Sequence, residues 1–86
     1  MNQTHYKILK MLYDKNKNSA VESISLKEIT DCCNIKLSKI SIYKQILTLT
    51  QEGYVNQGLR IGKENTYYIT QLGINAKQQL EGVAVG

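Results

Sequence analysis

Gly53 divides two hydrophobic rhythms, and that division constrains the fold more than any other feature of the chain. Before it, Ile42, Ile46 and Leu49 recur at steps of three and four, which puts them on one helical face. After it, Tyr54-Val55-Asn56-Gln57 and Thr66-Tyr67-Tyr68-Ile69 are short runs rich in β-forming residues. Gly58 to Asn65, with Gly62 inside, reads as the hairpin loop between them. Ser38 is placed to cap the helix, which is expected from Lys39 to about Glu52. Glycine at 53 supplies the usual helix C-terminus. The fold class is therefore α+β.

The flanking segments fill in the order of elements. His5 to Lys15 carries Ile8, Leu9, Leu12 and Tyr13 at helical spacing, with Thr4 as the expected cap. A short extended piece follows around Glu22-Ser23-Ile24. Ser25-Leu26-Lys27-Glu28 has the form of a capping box. It opens a second helix, roughly 26–33, with Leu26, Ile29 and Cys33 on one face. Asn34-Ile35-Lys36-Leu37 is a turn. Thr70 caps a last helix, about Gln71 to Leu80, with Leu72, Ala76 and Leu80 at four-residue steps. The expected organisation is one domain over 1–81 and a flexible tail over 82–86. Proline is absent, so nothing forces a break within a helix.

Eighty-six residues suffice for one small core, too little for a multi-domain enzyme. The chain holds one His and no Gly-rich phosphate loop, and no pair of acids lies near that His. No catalytic residue, metal ligand or cofactor is therefore expected. Adjacent Cys32 and Cys33 are badly placed to bridge each other and read as a buried helix-end pair. With His5 they make a thin case for metal sensing. The start, Met1 to Lys7, lacks the apolar stretch of a signal peptide, and no run is long enough to span a membrane. A cytoplasmic protein is expected.

Charge is the informative part of the composition. The net charge is +4. Between Cys32 and Lys63 lie Lys36, Lys39, Lys44, Arg60 and Lys63 against Glu52 alone, which is +4 by itself. Elsewhere Lys7, Lys10, Lys15, Lys17, Lys27 and Lys77 balance Asp14, Glu22, Glu28, Asp31, Glu64 and Glu81. A contiguous basic segment in a neutral chain has the form of a nucleic-acid footprint, or of an ordinary solvated face. The DNA reading gives each residue a task. Ser38, Lys39, Ser41, Tyr43 and Lys44 sit in the first turns of the helix, where hydroxyls, ammonium groups and free N–H groups meet phosphates and base edges. Lys36 in the preceding turn can touch the backbone. Arg60, the only Arg, and Lys63 flank Gly62 at the hairpin tip and suit a minor groove.

The same helix has a second apolar side. Taking Ile40 as zero, Leu47 falls at about −20° and Tyr43 at about −60°. They lie nearly opposite the Ile42, Ile46, Leu49 stripe. An exposed Ile and Leu there need cover. Thymine methyls could supply it, as could the same helix of a second protomer paired through Ile40, Tyr43 and Leu47. A shifted helical phase would instead bury both residues. A docking module for another protein is a further use of the stripe, which the local +4 disfavours.

The order helix, strand, helix, turn, helix, hairpin, helix resembles the winged helix-turn-helix family from Leu26 to about Leu80. The resemblance rests on Ile35-Lys36-Leu37-Ser38-Lys39-Ile40-Ser41-Ile42-Tyr43-Lys44, on Leu49-Thr50-Gln51-Glu52-Gly53-Tyr54-Val55 and on Tyr68-Ile69-Thr70-Gln71-Leu72-Gly73. It implies a three-helix core, a wing of two to three strands and a C-terminal helix. Within that fold the chain is most similar to the TubR family of centromere-binding proteins from type III plasmid and phage partition. Leu37-Ser38-Lys39, Gly53-Tyr54-Val55, the Arg60–Lys63 tip and Tyr68 to Gly73 carry this likeness. It implies homodimers with paired recognition helices, repeated double-stranded DNA sites, a tubulin-like GTPase filament as partner, and repression of the protein's own operon. Repressors of the MarR, ArsR and PadR kinds share the fold signals and give the alternative reading.

Overall fold

The structure, a computed structural model, describes residues 3–32, 37–60 and 62–85. The elements are α1 (Gln3–Asp14), β1 (Ile24–Ser25), α2 (Leu26–Cys32), α3 (Lys39–Gln51), β2 (Val55–Gln57), β3 (Thr66–Ile69) and α4 (Gln71–Val85). β3 is the middle strand of a three-stranded antiparallel sheet ordered β1-β3-β2. Ile24 faces Tyr67 on one side of it, and Val55, Asn56 and Gln57 face Ile69, Tyr68 and Tyr67 on the other. This is the winged helix-turn-helix architecture implied by the sequence.

Local chemistry sets the helix ends. Ser38 is extended (φ −67°, ψ 159°), and its hydroxyl oxygen accepts the Ser41 N–H at 3.2 Å. At the other end Gly53 has φ 82°. Its N–H donates to Thr50 O at 3.1 Å and the Tyr54 N–H to Leu49 O at 2.9 Å, the paired bonds of a Schellman cap. Asn16, at φ 59°, closes α1 in the same way through Lys17 N–H to Leu12 O at 2.8 Å. The Glu28 N–H donates to Ser25 Oγ at 3.3 Å, as the capping box requires. Thr70 caps α4 by accepting the Gly73 N–H at 3.1 Å, and its own hydroxyl donates to Gly53 O at 2.6 Å. One residue thus ties α4 to the turn between α3 and the sheet.

The core lies where α1, α2 and α3 meet the sheet. Ile8, Leu9, Leu12, Ile29, Ile42, Ile46, Val55 and Ile69 are fully buried, with Leu49 and Tyr67 nearly so. Burying such side chains supplies the main favourable energy, roughly 1.5–3 kcal/mol each.

Several expectations need correction. α1 begins at Gln3, so Thr4 is inside the helix and does not cap it. His5 is buried on the inner face of α1. Tyr13 is exposed at the edge of the α1 stripe, and Met11 is the buried residue. Cys32 is exposed on the end of α2, which removes it from a buried pair; Cys33 lies outside the described residues, with Asn34, Ile35 and Lys36. β2 starts at Val55 because Tyr54 completes the helix cap. Helix α4 continues to Val85 and does not end near Leu80. Its inner face is Gly73, Ile74 and Lys77, whereas Leu72 is 52% exposed. The cause is close approach: a Cβ at Gly73 would lie 2.2 Å from Tyr54 O. Only glycine fits against that carbonyl, and with Gly73 turned in, Leu72 turns out.

Candidate nucleic-acid interface

The buried stripe of α3 fixes what its other sides present. With Ile42, Ile46 and Leu49 inside, Lys39, Ile40, Tyr43, Lys44 and Leu47 are left on the surface. Ser41 is half-buried, and the Ser38 hydroxyl also donates to its oxygen at 3.1 Å. Ser38 thus closes the helix and orients Ser41. Ile40 is 69% exposed, and Tyr43 and Leu47 are each 37% exposed. The second apolar stripe therefore lies on the surface, and the helical phase that would bury it is excluded.

The wing is the β2–β3 hairpin. Its base is fastened by the Gly58 N–H to Thr66 O at 2.8 Å and by the buried Thr66 hydroxyl, which donates to Leu59 O. The Ser23 hydroxyl lies 2.7 Å from Thr66 Oγ1, which ties the turn before β1 to the same point. From this base Arg60, Gly62 and Lys63 project as exposed residues. The structure brings the wing beside the first half of α3. Lys39 and Tyr43 from the helix and Lys63, Glu64 and Asn65 from the wing share a cleft of about 190 Å³, floored by Leu26 and Tyr67. Lys44 and Arg60 do not line it, and Lys36 lies outside the described residues.

Electrostatics leave the cations of this face available. Among the described residues the ion pairs are Lys10–Asp14 and Lys77–Glu81, both distant in sequence from α3 and the wing. Tyr67 is 1% exposed, and burial pushes its phenol above the ordinary value. Asn65 and Gln57 hydrogen-bond that hydroxyl and oppose the shift. The sequence does not point to Tyr67 as a site residue, and it offers Asn65 and Gln57 only as helpers of the hairpin without singling them out. The available signal was the strand pairing, since Gln57 faces Tyr67 across the hairpin. Among the described residues no three His, Cys, Asp or Glu side chains gather as a metal site. No helix among them is long and apolar enough to cross a membrane.

No protein-family model matches the chain. The DNA-binding protein TubR of Clostridium botulinum C phage is 35% identical over 75 residues, spanning 86% of this chain and 89% of that protein. Among solved structures, TubR from Bacillus megaterium pBM400 superposes with a TM-score of 0.80 at 24% identity, over 93% of this chain and 86% of that one. The solution structure of the DNA-binding TubR fragment from Clostridium botulinum gives 0.72 at 28% identity, over 93% and 96%. SSV1 F-93 gives 0.66 at 23%, over 98% and 92%, a likeness of fold alone. With more than a third of the aligned positions identical across nearly the whole of a curated relative, the chain belongs to the TubR family.

Proposed function

We propose that this protein binds double-stranded DNA as a homodimer and acts as a centromere-binding adaptor in plasmid or phage partition. The observation that carries the DNA reading is the cleft shared by α3 and the wing, which Lys39 and Lys63 both line, with Lys44 on α3 and Arg60 on the wing exposed and outside the ion pairs found among the described residues. Lys39, Ser41, Tyr43 and Lys44 are the major-groove readers. Arg60 and Lys63 take the minor groove or its phosphates, and Lys36 and Ser38 lie at the backbone. The relatives named as DNA-binding support the DNA reading.

Dimerisation is supported by the exposed Ile40, Tyr43 and Leu47 stripe. Two α3 helices packed through it cover apolar surface that a monomer leaves in water. Repression of its own operon and coupling to a tubulin-like GTPase filament in the cytoplasm complete the reading, by family membership. Affinity for duplex DNA should fall with salt at a slope of about 0.9 per phosphate contacted. Unchanged affinity in the double variant Lys44→Ala/Arg60→Ala would refute the interface. Footprinting separates the biological roles: tandem repeats covered by many dimers support partition, and one short promoter palindrome supports a stand-alone repressor.

A further inference from the structure

The two ends of this interface imply a third contact, which rests on the duplex reading above. A helix in the major groove and a wing over the neighbouring minor groove are separated by one sugar–phosphate strand. That strand has to cross whatever lies between helix and wing. Here it meets a cleft walled by Lys39 and Tyr43 on one side and by Lys63 and Asn65 on the other. Lys39 and Lys63 line the space and Glu64 is the one acid among its lining residues, so the lining carries one net positive charge. Its floor is rigid. Tyr67 is buried in the core, and its hydroxyl is held by Asn65 and by Gln57 from the opposite strand.

We propose that the cleft between α3 and the wing seats one phosphodiester of the DNA strand that passes between the two grooves, gripped by Lys39 and Lys63. Tyr67 is a positioning residue: it fixes Asn65 at the rim without touching the strand. Glu64 weakens the grip by repelling the phosphate, which lets the wing release. The cleft accepts a backbone and reads no base, so Lys39, at the start of the groove-facing helix, acts here through the phosphate and independently of sequence, and base reading falls to the residues after it.

Methylphosphonate scanning tests this directly, because it removes one backbone charge at a time. A duplex bound by the wild-type protein is remade with one neutral linkage at each successive position. One position per protomer should weaken wild-type binding by about tenfold. The same linkage should change binding of Lys39→Ala/Lys63→Ala less than about twofold, because the charge it removes no longer has partners. Equal losses in both proteins at every position would overturn the seat. Glu64→Gln should bind the unmodified duplex severalfold more tightly, and unchanged affinity removes Glu64 from the account. Tyr67→Phe should keep its circular dichroism, with only the modest fall in Tm that the loss of a buried hydroxyl's hydrogen bonds brings, while the response to the neutral linkage shrinks; an undiminished response removes Tyr67. A wild-type protein that binds no duplex overturns the DNA reading itself, an outcome distinct from uniform losses along a duplex it does bind.

Discussion

Lys77 stands furthest from the usual habit of its residue type, being 5% exposed where lysines are seldom buried unless paired. Its ammonium donates to Glu81 Oε2 at 2.8 Å and sits 4.4 Å over the Tyr13 ring, while the Tyr6 hydroxyl donates to the same carboxylate at 2.9 Å. These contacts brace α4 against α1. The Lys77 hydrogen bond, then that of Tyr6, holds the Glu81 carboxyl below its ordinary 4.5. A carboxyl with a depressed folded pKa stabilises the fold above its unfolded pKa and loses that effect as pH falls through the folded value. Thermal unfolding followed from pH 7 down to pH values below about 4.5 should therefore drop more steeply for the wild type than for Glu81→Gln. Parallel curves would remove the brace from the pH response. Gly73 gives a second test at this scale. Gly73→Ala puts a methyl 2.2 Å from Tyr54 O, so the helix must shift. The expected cost is roughly 2 kcal/mol, or about 10 °C in Tm; a change within a degree or two would show that the contact yields freely. Neither residue was legible from sequence. The Leu72, Ala76, Leu80 spacing pointed to a face rotated away from the real one, because a backbone carbonyl from another element selects the inner side of α4.

Among the elements, α3 was the most legible and α4 the least, and the difference is where their boundaries are encoded. Ser38, Gly53 and the Ile42, Ile46, Leu49 stripe all lie within or beside α3, so its start at Lys39 was readable and its end differed by one residue. Ser38→Ala removes the oxygen that receives the Ser41 N–H and should cost about 1 kcal/mol. A fall of roughly 4–8 °C in Tm would report it, and no fall would mean that water replaces the cap. β1 is two residues long and exists through its pairing with β3, a tertiary cause that placed it at Ile24–Ser25, starting two residues later and ending one later than local pattern suggested. The second stripe of α3 was readable as a stripe, but only the fold decided that it faces outward. That exposure makes Leu47→Glu a clean element-scale test. A charge on an exposed site leaves the core intact, so the variant should keep its helical circular dichroism. Sedimentation should show it as a monomer while the wild type sediments as a dimer. A folded variant that remains dimeric would assign the stripe another purpose.

For the whole molecule, the distribution of charge matters more than its total. The sequence places all of the +4 between Cys32 and Lys63, yet a linear segment is not a surface. Folding brings part of it together, because the Thr70–Gly53 tie and the antiparallel hairpin return Lys63 beside Lys39 at the first half of α3. The rest of the chain is balanced and supplies scaffold. This arrangement bounds the salt response. Lys36, Lys39, Lys44, Arg60 and Lys63 are five cations per protomer. At about 0.9 per phosphate contact they allow a log–log slope of no more than about 4.5 for one protomer and about 9 for two. With phosphate contact confined to these five cations, a wild-type slope above about 4.5 points to two protomers on one duplex. Leu47→Glu should bring that slope below the single-protomer ceiling while each remaining contact keeps its share. Lys39→Ala/Lys63→Ala in the dimer should lower it by about 1.8, the share of one phosphate per protomer. A wild-type slope under the ceiling that Leu47→Glu leaves unchanged would mean that a single protomer makes the whole interface. Pairing through α3 would then be unnecessary for binding, and the apolar stripe would have to be explained by a contact other than a second copy.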